Sequence, residues 1–227
     1  MSDPASARTT VRRGKNRAEY DAAEIRQILN DGLIAHVGVN TPDGPIVLPM
    51  AYGLRGDDIL IHGALANAMM NAGREIDVCI TVTMVDGLVV ARTPFHNSMN
   101  YRCVVVRGVA TAIDDPDAKL EALHIINDHV APIWDSQREP SASDVRKTLV
   151  LSVPLAEASA KVRADDPVDE EIDMDGPHWA GIVPLTSTWG APFPAADLRG
   201  EPSVPEAVAS MANTPAQTGA THLEPKR

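Results

Sequence analysis

From Leu33 onward the hydrophobic positions of this chain recur every second residue, and that period predicts strands. LIAHVGVN places Leu33, Ala35, Val37 and Val39 on one face, the alternation of a half-buried strand. A turn follows at TPDG (41–44), where Pro42 and Gly44 supply the backbone angles. PIVLPMAYG (45–53) and ILIH (59–62) read as two more strands around Arg55-Gly56-Asp57-Asp58, and the three predict an antiparallel meander. Pro49 has no N–H to give a ladder, so its strand is an edge or is bulged there. Such an interruption leaves neighbouring backbone groups free for a ligand. VCITVTMV (78–85) and LVVAR (88–92) are strands that Asp86-Gly87 predicts to form a hairpin.

The longest strand signal is Phe95–Ile113. It opens on polar residues (His96, Asn97, Ser98, Asn100), passes Tyr101-Arg102 and becomes the β-branched run Val104-Val105-Val106. Gly108 marks a bulge or a close backbone approach. A polar mouth on an apolar strand suits a barrel rim that holds a planar ligand; an ordinary core strand with a decorated loop reads the same way. TLVLSV (148–153), SAKVR (159–163) and WAGIVPL (179–185) complete the set.

Helical spacing is confined to three places. Asp21 caps a short helix carrying Ile25, Ile28 and Leu29 and ended by Gly32. ALANAMMNAG (64–73) is a second, ended by Gly73. Asp115-Pro116 starts a third, with Leu120, Leu123, Ile126 and Val130 as its stripe and Pro132 beyond its end. About eight short strands, few helices and no βαβ alternation predict a mainly β, antiparallel barrel or sandwich. Neither GxGxxG after a strand nor GxxxxGK[ST] occurs. Three regions follow: a polar, basic arm over 1–19 (Arg8, Arg12, Arg13, Lys15, Arg17), a domain over 20–197, and a Pro-containing tail over 198–227 expected to be disordered or loosely held. The arm reads as an anion-binding arm, or as a tail that is solvated or packed along a neighbouring subunit.

Composition narrows the function. The 227 residues carry a net charge of -11 with a pI near 5.0, which excludes a general nucleic-acid or anionic-membrane binder. No apolar run is long enough to span a bilayer, and the expected location is cytoplasmic. Cys79 and Cys103 lie inside predicted strands and read as small buried hydrophobes. The acidic stretch 165–175 reads as a solvated loop, since its spacing fits no calcium loop.

Among chemistry-bearing residues, His124 and His129 are five apart on a predicted helix and do not share a face. His36 alternates with apolar residues, and no HExxH or GxSxG occurs. His62 differs, because it ends a strand at Gly63, just before a helix N-terminus. That placement offers backbone N–H groups and an imidazole to an anion; a polar residue closing a strand end is the alternative.

GLIAHVGV, LPMAYG, ILIHGA, VDGLVVAR, FHNSMNYRCVVVRGVA, SAKVR and HWAGIVPL, in that order, resemble the FMN-binding split-barrel family in its pyridoxamine 5'-phosphate oxidase-like branch, nearest the nitroimidazole-resistance reductases. The likeness runs from about Tyr20 to Leu185. It implies an antiparallel split β-barrel, Greek-key in part, that pairs as a homodimer with FMN in grooves at the interface. It implies an FMN-dependent oxidoreductase acting on a small molecule with a reduced nicotinamide donor, and His62 as proton donor or substrate orienter. Pro49, Met50, Ala51 and Tyr52 would lie along the flavin ring, and His62, Gly63, Ala64 and Asn67 along its ribityl phosphate. Tyr101, Arg102, Cys103 and Val104 would line the groove, with Trp179 approaching late. The chain departs from the family where a Ser-Arg or Lys pair grips the phosphate: it reads Ala66-Asn67-Ala68. Arg102, Arg74 or Lys161 would then supply the cation. Cys103 stands where serine is common, and Asn97 where a second histidine is. Two alternatives stay open: a haem-binding split barrel with His62 or His96 as ligand, and a non-catalytic ligand-binding regulator.

Overall fold

Period-two burial is what builds the molecule. The computed structural model describes residues 3–63 and 75–217. Ten strands form one antiparallel sheet among these residues: β1 (Ala18–Glu19), β2 (Ala35–Thr41), β3 (Gly44–Met50), β4 (Tyr52–Arg55), β5 (Asp58–His62), β6 (Glu75–Val90), β7 (Ser98–Ala112), β8 (Val150–Pro154), β9 (Ala158–Arg163) and β10 (Gly181–Pro184). Ala35, Val37 and Val39 of β2, Val78, Ile80, Val82 and Met84 of β6, and Val104 and Val106 of β7 all point into one core. Each such side chain contributes about 1.5–3 kcal/mol when fully buried.

The hydrogen-bonded path runs β3-β2-β6-β7-β8-β5-β4. Its two ends are successive pieces of chain, separated by Ala51 alone. The predicted meander is therefore corrected: β3 pairs with β2, whereas β4 pairs with β5 at the other end of the path. The sheet curls so that one run of chain leaves one edge and enters the other, which closes a split barrel. Pro49 lies opposite His36 on β3, the edge strand that a residue without an N–H requires.

The predicted hairpin at Asp86-Gly87 is corrected as well. β6 continues through it for 16 residues, with a register shift between Val85 and Gly87, and pairs with β7 along its length. Asp86 is buried because its carboxylate meets Arg102 on the facing strand. Gly87 lets β10 approach, since a Cβ there would lie 3.0 Å from the Val183 carbonyl oxygen. Gly108 is a close approach and not a bulge: it stays in register with Val78, and a Cβ would lie 3.0 Å from Val153 Cγ1.

Helix α1 (Ala22–Asp31) is capped by Asp21, whose carboxylate accepts from the N–H groups of Ala23 at 3.0 Å and Glu24 at 3.2 Å. Its Ile25, Ile28 and Leu29 enter the barrel core. Helix α2 (Pro116–Val130) starts at Asp115 and Pro116, and covers β4 and β5 with Ala122 and Ile126 against Leu60 and Val150. A Cβ on Gly53 would meet the Ile125 carbonyl oxygen at 2.9 Å, so glycine permits that packing. Helix α3 (Ala142–Lys147) falls in a stretch read from sequence as loop. Its signal is the reciprocal cap between Ser141 and Asp144. The tail carries a one-turn helix α4 (Glu206–Ala209) and pairs locally, Trp189 N–H donating to Thr214 at 2.9 Å and Asn213 N–H to Trp189 at 2.8 Å. The predicted helix 64–73, with Ala64, Ala66, Asn67, Ala68 and Arg74, lies outside the described residues.

Candidate functional site

The residues singled out from sequence divide among three environments. The first is a pocket of about 450 Å³ between the end of β5 and helices α2 and α3. Ala51 and His62 form its sheet side, and Ile126, Val130, Trp134 and Val145 most of its apolar wall. A cavity of this size and apolar character suits a cofactor-sized ligand. His62 reaches it because β5 ends there, opposite Val150 of β8. Burial holds the His62 pKa below the usual imidazole range, so at neutral pH its ring is uncharged and has a lone pair to give. Gly63 follows at φ 143°, a backbone conformation that favours glycine directly after the histidine.

The second environment is the barrel interior. Arg102 sits at the centre of a buried ion cluster. Its Nε and one terminal nitrogen donate to Asp86, and the other terminal nitrogen donates to Asp31 at 2.6 Å. Burial works against that charge, but Asp86 and then Asp31 outweigh it and raise the pKa. The guanidinium is thus engaged inside the barrel, tying α1 to β6 and β7. Met50 and Val104 are core residues. Tyr52 is fully buried, with its hydroxyl 2.5 Å from the Leu29 carbonyl and 2.9 Å from that of Gly32. Burial and then Asp31 push its pKa up, so it stays a phenol that locks the end of α1.

The third is the outer face of β7 and β9, where Tyr101 lies opposite Arg163 and Cys103 opposite Lys161. Residues in register share a face. Burial raises the Cys103 pKa, with Lys161 opposing, so this cysteine is a thiol and a poor nucleophile. Trp179 is 64% exposed beside the β10–β6 pairing, and a Cβ on Gly181 would touch its ring at 2.7 Å.

Three further histidines, His96, His124 and His129, have structural partners. His129 donates from Nε2 to the Gly32 carbonyl at 2.8 Å and tilts against Tyr52. His124 stacks on Trp134 and pairs with Asp128. His96 lies beside Phe95 and 4.0 Å from Glu170. In the acidic stretch, Asp169 is bound to Arg92 through side chain and backbone at 2.9 Å, a contact that sequence spacing did not signal.

Two buried imidazoles set a pH dependence. Burial lowers both His62 and His129 from 6.5, the Gly32 carbonyl partly opposing it at His129. The unfolded chain therefore takes up more protons than the native one once pH falls below about 6.5, and stability drops in that direction. The thermal midpoint is expected to fall between pH 7 and pH 5, and a His129→Gln protein to show a shallower fall. Equal slopes for the two proteins would remove His129 from the account.

An antiparallel barrel closed through one broken strand, with a histidine pocket at its end, defines a split-barrel protein of the flavin-binding class. The chain belongs to the pyridoxamine 5'-phosphate oxidase family, whose profile matches residues 21–162. Among solved structures it is similar to the flavocytochrome Anf3 from Azotobacter vinelandii, at 33% identity and a TM-score of 0.86, covering 94% of this chain and 100% of that one. It is also similar to an FAD- and haem-binding protein from Mycobacterium smegmatis, at 27% identity and a TM-score of 0.81, covering 89% and 100%. A putative 5-nitroimidazole antibiotic resistance protein from Bacteroides thetaiotaomicron shares 27% identity and a TM-score of 0.53, covering 64% and 86%. No curated protein matches the sequence.

Proposed function

We propose that this chain is a flavin-dependent oxidoreductase whose homodimer also holds a haem in the His62 pocket. The observation that carries the reading is the match to a flavocytochrome over 94% of this chain and that protein's whole length. It promotes haem from an alternative to the flavin to its partner. Flavin supplies exchange between hydride and single-electron transfer, and haem supplies one-electron chemistry.

The residues present fit both groups. His62, uncharged through burial, would ligate iron. Ile126, Val130 and Trp134 would enclose an apolar macrocycle and exclude water. The interrupted ladder at Ala51 gives the same pocket backbone groups that the sheet does not use. Tyr101 and Cys103 would border the flavin on the outer face, and a protonated Cys103 would leave it unalkylated. A reduced nicotinamide is the proposed donor and a small molecule the acceptor. A dimer is supported by exposed apolar residues on the outward side of the sheet, among them Val47, Val85, Leu88, Met99 and Val183. Among the described residues no helix is long and apolar enough to cross a membrane.

The test is an absorption spectrum of the full chain with FMN, FAD and hemin, added singly and together. Flavin bands and a sharp haem band in one protein, with the haem reduced by NADH or NADPH only when flavin is present, are the expected result. A protein that takes up hemin but no flavin, or neither, overturns the reading.

A further inference from the structure

Outside the His62 pocket, one cluster gathers three cations, with Asp165 and Asp166 near enough to offset only part of the charge at Arg163. The basic arm does not leave the domain: β1 pairs with β9, Ala18 opposite Lys161 and Glu19 opposite Ala160. Just before it, Gly14 takes φ 66°, and the point where its Cβ would stand lies 3.3 Å from Lys161 Nζ and 3.8 Å from Arg17 Cδ. Arg17 and Lys161 therefore converge on one spot, and Arg163 lies two residues along the same face of β9. Arg163 is only 4% exposed. Its two terminal nitrogens are held by neutral oxygens: the Asn100 side chain, the Asp165 carbonyl at 2.9 Å and the Asp166 carbonyl at 3.0 Å. The Nε atoms of both Arg17 and Arg163 are buried without a hydrogen-bond partner among the described residues.

Gathering three cations is costly in any protein, and among the described residues no carboxylate pairs directly with any of the three, although a chain of net charge -11 has acids to spare. At Arg163 burial and then the Arg17 charge lower the pKa, against the opposing effects of Asp165, Tyr101 and Asp166. The unpartnered Nε–H groups of Arg17 and Arg163 beside the Lys161 ammonium match a tetrahedral oxyanion, because the charge strengthens each bond. Arg163 is immobilised by Asn100 and the two carbonyls, so little entropy is lost when an anion arrives.

We infer that Arg17, Lys161 and Arg163 form an anion site for the phosphate or pyrophosphate of the flavin nucleotide, with the N-terminal arm acting as its clamp. The assignment of the occupant rests on the flavin reading above; the existence of the site does not. It also answers the missing Ser-Arg or Lys pair at Ala66-Asn67-Ala68, since the cation comes from the arm and β9.

Two titrations of the full chain test this, with Arg17→Gln, Arg17→Lys and Lys161→Gln beside the parent protein. In the first, inorganic pyrophosphate is added and binding followed by calorimetry. The parent is expected to bind, Arg17→Gln and Lys161→Gln to bind about ten- to a hundredfold more weakly, and Arg17→Lys to retain part of the affinity. A parent that ignores pyrophosphate, or variants that match it, overturns the site; an adventitious affinity that survives both glutamine changes counts as that outcome. In the second, riboflavin, FMN and FAD are compared by fluorescence quenching. Arg17→Gln is expected to lose FMN and FAD affinity by a similar factor while its riboflavin affinity is unchanged. If pyrophosphate binding falls but the three flavins are unaffected, the flavin phosphate is overturned as occupant. A parent that binds pyrophosphate and no flavin breaks the functional reading while the anion site stands.

Discussion

Replacing Arg102 with methionine is expected to destabilise the protein by about 3–5 kcal/mol, enough to unfold many domains at room temperature. The guanidinium lies in the barrel between Asp86 on β6 and Asp31 at the end of α1, and its side chain is 8% exposed. Removing it leaves two buried carboxylates that must be desolvated, protonated or re-hydrated by opening the barrel end. Methionine keeps most of the volume, so the loss reports charge and not a cavity. Exposed ion pairs give the contrast. Arg26–Asp57 is close at 2.7 Å, yet the Asp57 side chain is 96% exposed, and such a pair contributes no more than about 1 kcal/mol. Denaturant unfolding of Arg102→Met and Arg26→Met measures both. Equal losses, or a loss at Arg102 below about 1 kcal/mol, would remove the cluster from its structural role.

The second large effect is expected at His62. His62→Ala should lower haem affinity by at least about a hundredfold, because loss of an outer-shell partner alone commonly costs about 10–100-fold and here the ligand itself goes. Hemin titration monitored through the haem band reads the change, and added imidazole should restore part of it by entering the vacated space. Flavin binding is expected to persist, since Tyr101 and Cys103 lie on the other face of the barrel wall. An unchanged haem spectrum in His62→Ala would show that iron is held elsewhere, and His96→Ala is then the variant to compare.

The two sites differ in how far the sequence announces them. His62 is legible because it closes the apolar strand ILIH at Gly63, just before a predicted helix N-terminus. Its pocket is not, because the apolar wall comes from Ile126, Val130 and Val145 on helices remote in sequence. Arg102 reads as a groove cation beside Tyr101, yet strand alternation turns it inward, where Asp86 and Asp31 meet it from 16 and 71 residues away. The Arg17–Lys161–Arg163 cluster is the reverse case. The basic arm is plain in the sequence, but only the β1–β9 pairing shows what it packs against.

Local physics determined the elements: period-two apolar residues made the strands, Asp21 and Asp115 capped their helices, and Pro49 fell on an edge. Those outcomes depend on neighbours within a few residues, so the sequence carries them openly. Tertiary structure decided the rest. Asp86-Gly87 has the composition of a hairpin turn, yet it lies within one long strand, because Arg102 on the facing strand gives Asp86 a buried partner. PIVLPMAYG is one strand by pattern but two by pairing, since closing a barrel sends its halves to opposite ends of the sheet. In both cases the deciding interaction is long-range, and only the folded chain brings its partners together.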